Sequence, residues 1–164
     1  MAAENFSIEQ FLAVVDANYQ PFIQDLDSYL TNNGCKVKIE EKKSGLFAAY
    51  KHVKLKKSII NLLFRKTGLR IRIYGENVNK YIDFMNRLPK EMVQSIEETS
   101  TCKRLINPDD CSPTCSKGYD FTIGSKRFQI CRYSAFEFLI TPENNPHIKS
   151  FVENELKERT AVYA

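Results

Sequence analysis

Apolar residues recur along this chain in two periods, and each switch of period marks a new element. Ile8, Phe11, Leu12 and Val15 stand three or four apart, the spacing of one helix face. Ser7-Ile8-Glu9-Gln10 fits a capping box, in which the hydroxyl takes the third helical N–H and the Gln side chain reaches back. Asn18 and Pro21 interrupt that helix. Pro21 suits the first turn of a second one, where its missing N–H does no harm. Phe22, Ile23, Leu26, Tyr29 and Leu30 form the second stripe, and Asn33-Gly34 ends it.

The period then drops to two. Val37 and Ile39 alternate with Lys36, Lys38 and Glu40, as in a half-buried strand. Lys43-Ser44-Gly45 turns the chain into a second strand, Leu46 to His52, and the Lys-rich segment Lys54 to Lys57 turns it again. Ile59 to Phe64 is apolar on nearly both faces, which places it centrally in a sheet. Lys66-Thr67-Gly68 reads as a three-residue hairpin loop. Beyond it Leu69, Ile71 and Ile73 point one way and Arg70 and Arg72 the other, until Gly75. These strands predict a four-stranded antiparallel meander.

Val78, Tyr81, Ile82, Met85 and Leu88, continued past a restart at Pro89 by Met92, Val93 and Ile96, predict a helix that covers the sheet. A cysteine-rich stretch follows, then one more hairpin, Tyr119 to Ile140. The last helix begins at Asn145 and Pro146, with Ile148, Phe151, Val152, Glu155 and Leu156 on its inward side and flank. The expected fold class is α+β: an antiparallel β-meander covered by helices, followed by a cysteine-rich loop, a β-hairpin and a C-terminal helix. No repeat, linker or boundary divides residues 1–164. One domain is expected, with 102–140 as a metal-stapled loop and hairpin.

Composition agrees with a single globular core: 164 residues, 43% apolar, 27% charged. The opening stretch carries Glu4 and Glu9 where a leader would be apolar, and no apolar run approaches a membrane span. A cytoplasmic protein without a membrane segment is therefore expected. The net charge of +4 conceals an asymmetry, because residues 42–75 hold ten basic side chains and no acidic one, leaving the rest at −6. Lys54, Lys56, Lys57, Arg65, Lys66, Arg70 and Arg72 are accordingly candidates for nucleic-acid binding. A solvated sheet face complementing acidic helices is the plainer account of the same charges.

The sharpest chemistry is in the cysteines. Cys102, Cys111, Cys115 and Cys131 follow the spacing C-x8-C-x3-C-x15-C. In a reducing compartment, converging thiols hold a metal more readily than they form cystines. A two-residue turn at Gly124-Ser125 pairs Tyr119 with Ile130, Phe121 with Phe128 and Ile123 with Lys126, setting Cys131 beside Gly118. Cys111-Ser-Pro-Thr-Cys115 is short and turn-rich, and the Asn107 to Asp110 turn folds Cys102 back. Four sulfurs suit tetrahedral Zn²⁺ in a closed structural site. They also suit an iron–sulfur cluster or a redox role. Cys35 reads as a small buried residue.

With only His52 and His147, no Cys-His or Ser-His-Asp arrangement is apparent. Asp109-Asp110 read as a turn, and Glu97-Glu98 as a solvated helix end. The sequence points away from an enzyme. It points to a domain with structural zinc that binds a small molecule or protein partner; a nucleic-acid module and a thiol redox or iron–sulfur protein are the alternatives.

The block Cys102-Lys-Arg-Leu-Ile-Asn-Pro-Asp-Asp-Cys-Ser-Pro-Thr-Cys-Ser-Lys-Gly-Tyr-Asp-Phe121, with Cys131-Arg-Tyr133 after it and Tyr81-Ile-Asp-Phe-Met-Asn-Arg-Leu-Pro89 before it, resembles an uncharacterised family of small bacterial proteins. The resemblance covers most of the chain beyond Cys35. It implies a bacterial origin and treats the cysteine block as a unit, with no assigned activity to carry across.

Overall fold

The computed structural model describes residues 4–161; residues 1–3, at the front of the stretch read for a leader, and 162–164 lie outside them. Helix α1 (Ile8–Ala13) opens with the expected capping box, Ser7 and Gln10 exchanging side-chain-to-backbone hydrogen bonds of 3.1 and 2.8 Å. Helix α2 (Gln20–Asn32) has Pro21 in its first turn and turns its buried Ile23, Leu26 and Leu30 inward.

Strands β1 (Cys35–Lys42), β2 (Gly45–His52), β3 (Lys57–Arg65) and β4 (Gly68–Ile73) form the antiparallel meander. A fifth strand, β7 (Glu137–Leu139), pairs with β4, so β3 is central in the order β1-β2-β3-β4-β7. The register gives the sheet two chemically distinct faces. One row crosses all five strands as Ile39, Ala48, Leu62, Ile71 and Phe138, each buried. The adjacent row is Lys38, Ala49, Asn61, Arg72 and Glu137. Alternation of side chains along each strand makes the first row the helix-packed face. Phe11 meets Phe64 on that face, and Phe138 meets Phe151 of the last helix, α6 (Asn145–Ala161).

Three local expectations change. Arg65 pairs with Gly68, so the β3–β4 loop has two residues, Lys66 and Thr67, and Gly68 opens β4. The helix expected over 78–98 is broken into a 3-10 turn (Val78–Tyr81), α3 (Ile82–Met85) and α4 (Lys90–Glu97). Pro89 has no N–H for an i−4 bond, and its ring obstructs the preceding turn. The region Tyr119 to Ile140 is not one hairpin. Only β5 (Tyr119–Ile123) and β6 (Lys126–Ile130) pair there, while β7 departs to the main sheet. The expected β5–β6 register is the one observed, and Gly124 supplies the positive φ of +62° that the two-residue turn requires. No helix among the described residues is long and apolar enough to cross a membrane.

Helix α6 docks through a buried polar network as well as apolar packing. Glu155, wholly buried, accepts from the Asn77 backbone N–H and side-chain amide at 2.9 Å each, from the Tyr81 hydroxyl, and from Arg159 Nε at 2.7 Å. Arg159 in turn donates to the carbonyls of Ser58 and Tyr74. One ion pair therefore joins α6 to the sheet and to the 3-10 turn.

Candidate functional site

The cysteine corner is built by two connections flanking β6. The chain entering it runs antiparallel to β6, with Thr101 opposite Ile130. Cys102 N–H donates to the Gln129 carbonyl and Cys131 N–H to that of Ser100, both at 2.9 Å. On β5 the ladder stops at Tyr119, opposite Ile130, so Gly118 and Cys131 are the next residues outward. A Cβ on Gly118 would stand 2.1 Å from the Ile130 carbonyl oxygen and 3.0 Å from Cys102 Sγ, which leaves room for glycine alone. That close approach lets Gly118 N–H donate to Cys102 Sγ at 3.2 Å.

Between Cys102 and Gly118 the backbone is held by short-range polar contacts. Asn107 forms an Asx turn, its side-chain oxygen accepting the Asp109 N–H at 3.1 Å. Cys111 takes a left-handed φ of +68°, and its N–H bonds the Asp110 carboxylate. The short helix α5 (Lys103–Ile106) presents Arg104, whose Nη1 donates to the carbonyls of Ser112, Pro113 and Cys115 at 2.8, 3.1 and 2.6 Å. One guanidinium thus gathers three acceptors and draws the Cys111–Cys115 turn toward Cys102.

Partial desolvation, then the adjacent Cys111 thiol, then Cys131 and Cys102, together hold the Cys115 pKa above the ordinary thiol value. All five cysteines of the chain are free; Cys102 is buried, Cys115 and Cys131 are half-buried and Cys111 is exposed. Among the described residues, no group of three or more His, Cys, Asp or Glu side chains stands in an arrangement that could hold a metal ion. The thiols share a corner without closing on a common centre. Compared with protein-family models, curated proteins and solved structures, the chain matches none.

Cys35 lies elsewhere, at the start of β1, and burial pushes its thiol up to about 11. The basic candidates are divided. Lys54, Lys56 and Lys57 surround the β2–β3 turn, whereas Arg65 and Lys66 stand at the opposite end of β3, roughly 26 Å away at strand rise. Arg65, Arg70 and Arg72 all converge on Glu137, at 3.2, 3.5 and 3.1 Å. The seven are thus split between the two ends of β3 and the middle of β4, where the arginines meet Glu137.

Sequence reasoning missed Arg104, Arg132 and Arg159. Arg132 pairs with Glu76 and stacks over Tyr119, 5.7 Å from its ring centre. A signal for Arg159 was present: it lies four residues after Glu155 and seven after Val152, on the inward stripe of α6. Nothing local marked Arg104 or Arg132, because their partners are backbone carbonyls and residues distant in the chain.

Proposed function

We infer that the chain is a non-catalytic α+β binding domain whose Cys102, Cys111, Cys115 and Cys131 hold one structural Zn²⁺, serving a small-molecule or protein partner. The observation that carries this reading is the backbone geometry of one corner: Cys102 and Cys131 bond at adjoining positions beside β6, Gly118 N–H donates to Cys102 Sγ, and Arg104 ties the Cys115 carbonyl to the start of the same loop. Negative charges gathered at one corner oppose one another. A divalent cation reverses that balance and deprotonates its ligands.

Closure on a metal requires Cys111 and Cys115 to move inward on a loop that is mostly exposed. Apparent zinc affinities of about 10 kcal/mol and more outweigh the few kcal/mol of reordering such a loop. With four protein ligands no position remains for a reactive water, which makes the role structural. An iron–sulfur cluster would use the same ligands. A reactive-thiol role is disfavoured at Cys115, whose pKa is raised rather than lowered.

Metal analysis of the full chain, purified under reducing and non-chelating conditions, tests the reading. About one equivalent of zinc is expected, lost in Cys102→Ser and retained in Cys35→Ser. Iron in place of zinc would reassign the site to a cluster. Less than about a tenth of an equivalent of either metal sinks it.

A further inference from the structure

Beside the cysteine corner, two adjoining hollows of about 370 and 230 Å³ share Lys57, Glu76, Ser116, Arg132 and Arg159 in their walls. Lys80 and Glu158 border the first, and Lys51 and Lys56 the second. Two of these cations are already matched, Arg132 by Glu76 and Arg159 by Glu155. Among the described residues, none of Lys51, Lys56, Lys57 and Lys80 has a carboxylate within 4.0 Å. Their excess of positive charge stands against Glu158 alone.

The floor is more telling than the rim. The Arg159 side chain is 6% exposed and held by Glu155, the Ser58 carbonyl and the Tyr74 carbonyl. A guanidinium carries five N–H donors, and these three bonds use three. Two donors therefore have no protein acceptor among the described residues, on a residue that lines both hollows. A fixed, nearly buried guanidinium with spare donors, ringed by flexible ammoniums, is the layout that recognises a phosphate group. Lys56 adds to this. It lines the second hollow from a turn position with a left-handed φ of +53°.

We propose that this cleft binds a small phosphorylated molecule, with its phosphate over Arg159 and bracketed by Lys57 and Lys80. The larger hollow suits a ligand about the size of a mononucleotide or sugar phosphate. A nucleic-acid strand fits less well, because Glu76 and Glu158 interrupt the basic wall and the arginines toward the far end of β3 are engaged by Glu137. The lysines and Arg159 come from the end of β2, the β2–β3 turn, the start of β3, the 3-10 turn and α6. The inference therefore stands apart from the zinc reading, although Ser116 and Arg132 adjoin Cys115 and Cys131.

Calorimetric titration of the full chain with inorganic pyrophosphate, in zinc-supplemented and in chelated samples, tests the cleft. Saturable one-site binding is expected, with Lys57→Glu/Lys80→Glu weakening it at least about tenfold. Lys43→Glu/Lys66→Glu makes the same charge change at the opposite end of the sheet and should alter affinity less than about twofold. Circular dichroism verifies that both pairs fold. The proposal is overturned by absence of saturable binding up to about 10 mM pyrophosphate in both samples, or by equal loss in the two charge-reversed pairs. Tighter binding of a single-stranded oligonucleotide of about a dozen nucleotides, weakened alike by both pairs, would overturn it in favour of nucleic acid.

Discussion

His52 shows how one side chain ties titration to local structure. It is buried opposite Cys35, and its Nδ1 accepts the Leu55 N–H at 3.2 Å, closing the β2–β3 turn. Burial, then the charges of Lys54 and Arg159, hold its pKa below the usual histidine value. A histidine depressed in the folded state contributes stability that is complete above its unfolded pKa of about 6.5 and is lost as pH falls through the folded value. The urea midpoint should therefore decline as pH is lowered from about 7 to about 5, and His52→Asn, which keeps an acceptor near the turn, should flatten that decline. An identical pH slope in the variant would assign the dependence to other groups. The sequence marked His52 only as one of two histidines. Burial, the property that sets its pKa, depends on strands paired across the sheet.

At the level of elements, β7 is the least self-sufficient. It has three residues, too few for a strand to hold by backbone pairing alone. Phe138 extends the apolar row and Glu137 faces three arginines on the reverse side, which pins β7 to the edge of β4 from both faces. Glu137 is half-buried, as are Arg70 and Arg72, so solvent weakens these pairs less than at an open surface. Glu137→Gln should lower stability by about 1–3 kcal/mol, read as a shift of the urea midpoint. An unchanged midpoint would mean that backbone pairing and Phe138 suffice. The alternation of Leu69, Ile71 and Ile73 with Arg70 and Arg72 was readable from the chain. The carboxylate that meets those arginines was not, since about 65 residues separate them.

Across the whole molecule, a well-packed body is joined to a corner held mainly by polar contacts. The main sheet, α2 and α6 enclose a continuous apolar core, while residues 103–117 contribute no buried side chain. Local stability follows such differences in burial. If zinc closes the corner, trypsin should cleave the zinc-loaded chain slowly at Lys103, Arg104 and Lys117. Chelation should speed those cuts severalfold while the five-stranded body survives as two resistant fragments, one from each side of the nicked loop. Equal cleavage rates with and without chelator, followed by gel and mass spectrometry, would remove the metal from the corner's architecture.

Periodicity alone determined the capping box, the meander, the central place of β3 and the register of β5 with β6, because each follows from neighbours within one or two elements. Tertiary structure decided what joins elements remote in sequence: β7 on β4, Glu155 with Arg159 under the 3-10 turn, and Arg104 gathering the loop around Cys115. Local chain geometry repeats in the order of residues, so it is legible there. A buried charge or a spare hydrogen-bond donor is defined by whatever packs against it, and that exists only once the chain has folded.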